Sequence, residues 1–133
     1  MASSNYRQQP PRQTVRQGNR IKFLRKINAQ AHREFMGLIS YCFKEGHDNI
    51  ILDFSKAQTG YPNGMVPLIA SIDSYKRSGM KFKFDMPEDS SCKNLFRFTN
   101  WAHLLMPEAY PAEETQHNRH LTTLHTISPL ITI

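Results

Sequence analysis

The sequence is poor in cysteine and lacks long apolar runs. Only two cysteines, Cys42 and Cys92, occur in 133 residues, too few for the disulfide framework of a small secreted domain. We therefore expect both thiols to be reduced and buried. No apolar segment approaches the roughly 20 residues of a membrane-spanning helix, and the first residues, MASSNYRQQPPR, lack the apolar stretch of a secretory signal. A soluble, cytoplasmic protein without a membrane partner is expected.

Acidic residues are absent from the first 33 positions. This segment contains 8 of the 17 basic residues and none of the 11 acidic ones, because Glu34 is the first acid. The rest of the chain carries 9 basic and 11 acidic groups, so its formal charge is −2 although that of the whole chain is +6. A nucleic-acid-binding domain concentrates Lys and Arg on a face of its fold. Nucleic acid is therefore not expected as the main partner.

Composition divides the chain into three segments. Residues 1–18, rich in Gln, Ser, Pro and Arg, predict a basic disordered arm. Residues 19–107 carry the periodic apolar patterns of a folded domain, and residues 108–133 turn polar and predict a linker or tail. The tail contains apolar residues that we expect to be covered, by this domain's own sheet or by a following domain. These residues are Leu121, Leu124, Ile127, Leu130, Ile131 and Ile133.

Four segments of the folded domain have strand patterns. They are residues 20–25, 49–54, 80–85 and 102–106. The third alternates strictly, with Met80, Phe82 and Phe84 on one face and charged residues on the other. Such alternation is typical of a strand with one wet face, so we place it near a sheet edge.

Three segments have helical spacing. We predict helices from Ala31 to the stop at Gly46, from Met65 to the stop at Gly79, and after a cap at Asp89 or Ser90. Asn28 is a suitable N-cap for the first helix. Before the second helix, residues 58–64 predict a loop, and Pro67 is then expected in the first helical turn. Alternation of strands and helices predicts an α/β fold.

No pattern of catalytic, metal-binding or cofactor-binding residues stands out. Residues 60–64, GYPNG, lack the lysine and hydroxyl of a phosphate-binding loop. Cys42 lies on an apolar helix face, and Asp53 has no second carboxylate at a suitable spacing. His117 and His120 form an H-x-x-H pair without a cysteine or carboxylate nearby to complete a zinc site. We predict no catalytic residue, no metal and no cofactor.

Residues 50–55, IILDFS, form an apolar strand that ends in L-D-F-S. A loop with glycine, an apolar helix closed by glycine and an alternating strand follow. This order resembles the STAS domain of bacterial anti-sigma factor antagonists over about residues 20–107. Residues 100–108, NWAHLLMPE, are similar to the end of STAS-like domains that precede histidine-kinase-type ATPase domains. The resemblance implies a mixed sheet of four to five strands packed by helices.

The resemblance also implies a binding surface. Residues 61–64, YPNG, fall where anti-sigma factor antagonists have D-S-S-G, with Asn63 in the place of the phosphorylated serine. Asparagine has no hydroxyl, so the resemblance implies a partner-binding loop without the usual serine phosphoswitch. The candidate partner- or ligand-binding residues are Asp53, Ser55, Tyr61, Pro62, Asn63 and Gly64.

The sequence thus predicts a regulatory protein-interaction module in signal transduction, not an enzyme. Its expected partner is a histidine-kinase-like ATPase domain, in cis or in trans, and its expected surface is residues 58–66 with the exposed side of the second helix. Tyr61 is the expected anchor, because aromatic side chains are favoured at interface centres; packing of Tyr61 against its own domain is the alternative. A second functional hypothesis is a small-molecule or nucleotide sensor with a cleft beside Asp53, Ser55 and Asn63. In similar proteins the tail leads into an ATPase domain, so we expect the working protein to be longer than 133 residues.

Overall fold

The computed structural model describes residues 11–112. The strands of this range are β1 (Thr14–Gln17), β2 (Arg20–Phe23), β3 (Lys26–Ile27), β4 (Asn49–Asp53), β5 (Thr59–Gly60) and β6 (Lys81–Asp85). Its helices are α1 (Ala29–Lys44), α2 (Pro62–Arg77), α3 (Ser90–Phe98) and α4 (Trp101–Leu105). No helix in this range is both long and apolar enough to cross a membrane.

The main sheet is mixed and has the strand order β1-β2-β4-β6. β1 pairs antiparallel with β2, whereas β2 with β4 and β4 with β6 pair parallel. β3 and β5 form a separate parallel pair, with Lys26 beside Thr59 and Ile27 beside Gly60. The predicted α/β class is confirmed, as is the edge position of the strand at residues 81–85.

The main sheet has a covered face and an open face. Leu52 lies beside Phe84 on the face that the helices cover, and Leu52 is fully buried. On the other face Asp53 lies between Lys22 and Asp85 in register. Side chains alternate between the two faces of a strand, so the register defines the open face. Its residues are Val15, Gln17, Arg20, Lys22, Asn49, Ile51, Asp53, Lys81, Lys83 and Asp85.

The core lies between the covered face and the helices and contains a series of aromatic contacts. Phe23 stacks on Phe54 with 4.9 Å between ring centroids. Phe96 meets Phe54 edge-on at 5.5 Å and Trp101 edge-on at 5.9 Å. Trp101 is only 4% exposed. These contacts join β2, the end of β4, α3 and α4 into one core, where aromatic pairs add to the stability from area burial.

α1 has the predicted apolar face and cap. Asn28 Oδ1 accepts a hydrogen bond from the Ala31 backbone N–H at 3.0 Å, which satisfies a free donor of the first turn. Ala31, Phe35, Ile39 and Cys42 are buried on one side of the helix, at the spacing of three and four residues that places side chains on one face.

The predicted start of the second helix was wrong. α2 begins at Pro62, so Pro62, Asn63 and Gly64 form its first turn and are not part of a loop. Pro67 consequently lies inside the helix, beyond the first turn where it was expected. Pro62 takes the N1 position, because a fixed φ and a missing N–H are best tolerated there.

The predicted last strand was also wrong. Residues 101–105 form the short helix α4. Asn100 adopts a left-handed conformation with a φ of 64°, which ends α3 and lets the chain start a new helix at once. The alanine and leucines of α4 are good helix formers, whereas an apolar run this short does not by itself distinguish helix from strand.

The main sheet begins before the predicted domain boundary at residue 19. Thr14–Gln17, which were assigned to the disordered arm, pair with β2 as strand β1. The predicted arm at residues 1–10, the tail from residue 113 onward, the H-x-x-H pair and the apolar residues of the tail lie outside the described residues.

Candidate functional site

The starts of α1 and α2 lie beside one another and border a concavity of about 580 Å³. The Tyr61 backbone N–H donates to Ile27 O at 3.0 Å, which extends the β3–β5 pairing to the residue that precedes α2. Five residues line this concavity, which we call the α2 concavity: Lys26, Asn28, Tyr61, Pro62 and Asn63. Three of the predicted binding residues therefore share one surface.

At Gly64 the backbone of α2 approaches the backbone before α1 closely, beside the α2 concavity. A Cβ atom at this position would lie 2.5 Å from Ile27 O and 2.6 Å from Asn28 O. Both are backbone atoms that a side chain cannot push aside cheaply. Gly64 is buried, and its lack of a side chain allows the close approach of α2 to the start of α1.

Several exposed apolar side chains lie beside the α2 concavity and along the helix. Tyr61 is 43% exposed, and Val66 is 40% exposed. Pro62 and Ala70 are also exposed, and residues 62, 66 and 70 lie on one side of the helix because they are four positions apart. We call Tyr61, Pro62, Val66 and Ala70 the α2 stripe. Tyr61 is thus partly covered by its own domain and partly open to solvent.

Asp53 lies on the open face of the sheet. Its Oδ1 accepts from the Ser55 backbone N–H at 2.9 Å, and its Oδ2 accepts from Arg20 Nη1 at 2.9 Å. Burial by itself would raise the pKa of Asp53, but hydrogen bonds from Ser55 and Arg20 outweigh it and lower the pKa. Asp53 is therefore ionised and holds the turn that follows β4.

Arg20 joins two carboxylates across the open face. Its Nη1 lies 2.9 Å from Asp53 Oδ2 and 2.6 Å from Asp85 Oδ2. The guanidinium thereby links β2 to β4 and β6 by charge-assisted hydrogen bonds. Asp53 and Ser55 do not line the α2 concavity, which includes Asn63. The cleft predicted beside Asp53, Ser55 and Asn63 is thus split between two surfaces.

Two residues of the α2 concavity were missed by the sequence analysis. Lys26 lies in the two-residue strand β3, and a segment this short has no periodicity to detect. Asn28 was identified as a helix cap, and that role says nothing about its neighbour across the chain. The one sequence feature that could have indicated these residues is their polar character just after the predicted strand at residues 20–25.

The two cysteines and His103 take part in the packing and hydrogen bonding of the fold. Cys42 and Cys92 are free and buried. Burial raises the pKa of both thiols, that of Cys92 to about 11, so both are protonated at neutral pH and poor nucleophiles. His103 is half-buried, and its Nδ1 donates to Tyr110 O at 2.8 Å. Among residues 11–112 no group of three or more His, Cys, Asp or Glu side chains is arranged to hold a metal ion.

No family model, curated protein or solved structure matches this chain.

Proposed function

We propose that this chain is a STAS-like regulatory module that docks on a histidine-kinase-like ATPase domain, in cis or in trans, and that it is not itself an enzyme. The docking surface is the α2 stripe together with the α2 concavity. A cytoplasmic location in a bacterial signalling system is part of the proposal. The single observation that carries it is the exposure of two large apolar side chains at the start of α2, Tyr61 immediately before the helix and Val66 within its first turns.

The chemistry of this surface suits a protein partner. Tyr61 offers a large amphipathic ring at the mouth of the α2 concavity, and such rings are enriched among residues that dominate binding energy. Val66 and Ala70 extend the apolar contact along the helix. An exposed, contiguous apolar patch on a helix face is typical of an interaction site, whereas isolated apolar residues are normal on any surface.

The rim of the concavity favours an acidic group on the partner. Lys26 lines it, and the first turn of α2 contains no acidic residue. Backbone N–H groups at a helix start carry partial positive charge and favour a neighbouring carboxylate. We therefore expect the partner to present an apolar surface with a carboxylate positioned beside Lys26.

Docking in this proposal does not depend on phosphorylation of α2. Asn63, which takes the place of the family's serine, is exposed and has no hydroxyl. The nearest hydroxyls belong to Thr59 and Tyr61, which lie outside that position. In this proposal, control of docking comes from the partner's own state, such as its occupancy by nucleotide.

The test is a binding measurement by calorimetry between the 133-residue chain and purified histidine-kinase-type ATPase domains of the same organism. Tyr61→Ala is expected to weaken binding by at least about 30-fold, the effect of losing a hot-spot residue. Phe98→Ala is the matched control, because Phe98 is a 53% exposed aromatic residue on α3. Failure of the wild-type chain to bind any such domain, or equal binding by Tyr61→Ala, contradicts the proposal.

A further inference from the structure

The two edges of the main sheet differ in how the rest of the molecule protects them. At the β1 edge, Glu34 Oε1 accepts from the backbone N–H of Thr14 at 2.9 Å and from Thr14 Oγ1 at 2.7 Å. It also accepts from the Gln13 backbone N–H at 2.9 Å. A side chain of α1 thus occupies backbone groups that an incoming strand would need, which is a common protection of sheet edges.

The β6 edge has no such protection within residues 11–112. The Lys81 N–H donates to Asp48 O at 2.9 Å, and Asp85 O accepts from the Phe54 N–H at 2.7 Å. Backbone groups alternate in direction along a strand, so the N–H and C=O groups of Phe82 and Phe84 point away from β4. β4 is the one strand that neighbours β6 in the described sheet.

The side chains of β6 present an apolar side and a charged side at this edge. Phe82 and Phe84 are half-buried on the covered face, with 6.2 Å between their ring centroids. Lys81, Lys83 and Asp85 are exposed on the open face. Asp85 is held by Arg20 at 2.6 Å, yet its side chain remains 49% exposed, so it can still meet a cation from outside.

We propose that β6 pairs antiparallel with β6 of a second copy of this chain, around a twofold axis at Phe84. In this register Phe84 lies opposite Phe84 of the second copy. Lys83 of each copy lies opposite Asp85 of the other, which gives two pairs of opposite charge. Opposite charges directly across an antiparallel pair stabilise it, whereas like charges destabilise it. The two sheets then form one continuous sheet with a closed, symmetric interface.

The charge sequence of β6 selects this register over its neighbours. An axis at Lys83 places two lysines opposite each other, and an axis at Phe82 places Lys81 opposite Lys83 twice. An axis at Asp85 places two carboxylates opposite each other. Only the axis at Phe84 pairs charges of opposite sign throughout, with the backbone groups of Phe84 directed at the partner strand.

The test is sedimentation velocity of the 133-residue chain over a wide concentration range. The wild-type chain is expected to show a concentration-dependent dimer. Lys83→Glu and Asp85→Lys are each expected to raise the dissociation constant at least about tenfold, because each converts two attractive pairs into repulsive ones. The double variant Lys83→Glu/Asp85→Lys restores both pairs with reversed sign and is expected to recover most of the affinity.

Arg33→Glu is the control for Lys83→Glu, because it makes the same change in net charge on the exposed surface of α1. Thermal unfolding of each variant verifies that the fold is retained. A wild-type chain that stays monomeric at every concentration overturns the proposal. So does an Arg33→Glu variant that weakens the dimer as much as Lys83→Glu, or a folded double variant that does not recover. The α2 stripe contains no residue of β6, so these results leave the proposed function to its own test.

Discussion

At the scale of single residues, Glu34 does more for the fold than its position on α1 suggests. Its carboxylate accepts from the Gln13 and Thr14 backbones, from Thr14 Oγ1 and from Gln30 Nε2. Its side chain is only 13% exposed. Because these groups lie at the start of β1, Glu34 attaches this end of the first strand to α1, while Arg16 of β1 pairs with Glu45 just after the helix.

Replacement of Glu34 by glutamine is expected to lower the free energy of unfolding by about 1.5–3 kcal/mol at neutral pH, the range for hydrogen bonds to a charged group. Burial alone would raise the pKa of Glu34, but its hydrogen bonds outweigh burial and lower the pKa below the ordinary value of 4.5. A lowered pKa in the folded state means stability that is present above the unfolded pKa and lost as pH falls through the folded pKa.

Urea denaturation in a pH series measures this effect. The difference between wild type and Glu34→Gln should shrink as the pH falls below about 4.5. Glu108→Gln, an exposed position, serves as the control and should unfold like the wild type throughout. A difference that persists unchanged in acid would show that the carboxylate charge is not responsible.

Replacement by alanine is expected to have opposite effects on stability at Gly64 and at Gly37. Gly64→Ala forces a Cβ against Ile27 O and should destabilise the protein by about 1–3 kcal/mol, as overpacking does. Gly37 lies inside α1 with nothing within 4 Å of a Cβ, so Gly37→Ala should stabilise it by about 0.5–1 kcal/mol. Thermal unfolding compares the two variants, and equal effects would contradict this account.

The same glycine shows what sequence reasoning reaches and where it stops. The resemblance identified Gly64 as a family position, but the physical need for glycine comes from backbone atoms of Ile27 and Asn28. That contact joins parts of the chain more than 30 positions apart, and no local pattern encodes it. Asp53 was likewise identified from a strand end, while its partner Arg20 became visible only through the parallel pairing of β2 with β4.

At the scale of elements, long periodic segments were predicted well and short ones were not. α1, β4 and β6 have apolar patterns of five or more residues and appeared where expected. β3 and β5 contain two residues each, too few to show a period. Two prolines near the start of α2 could each lie in its first turn. The sequence analysis placed Pro67 there, whereas in the structure Pro62 takes this position and Gly64 packs against the start of α1.

The first turn of α2 is expected to resist phosphorylation. Asn63 offers no hydroxyl, so a kinase that phosphorylates STAS serines should leave residues 58–66 unmodified. The measurement is intact mass after incubation with ATP and the kinase, where one phosphoryl group adds about 80 Da. The variant Asn63→Ser is the positive control. A stoichiometric gain mapped to residues 58–66 of the wild type would refute the absence of a phosphoswitch.

α4 is expected to depend on its single tryptophan. Trp101 is 4% exposed and packs edge-on against Phe96, so Trp101→Ala should cost about 3–5 kcal/mol, as truncation of large core aromatics does. Its fluorescence in the folded protein should be blue-shifted and poorly quenched by iodide. Phe98→Ala, at a 53% exposed position, should change stability by less than about 0.5 kcal/mol. Water-like emission would contradict a core position.

At the scale of the whole molecule, the two cysteines report on unfolding from separate elements. Cys42 lies in α1 and Cys92 in α3, and burial raises the pKa of both thiols. Native protein is expected to react slowly with a thiol reagent, at one common rate set by opening of the single core. Labelling followed by mass spectrometry of each site measures this rate, with protein in denaturant as the fast reference. Rapid labelling of one native thiol would show a core that opens in parts.

Because the helices cover one face of the main sheet, the protein can be attached to a support through the open face. Lys22 lies on the open face, away from the helix layer that carries the α2 stripe. A support or dye coupled through a unique reactive group at this position leaves the core packing as it is. The helices then point into solution, so a chain immobilised in this way presents Tyr61 and Val66 to a dissolved protein in a uniform orientation.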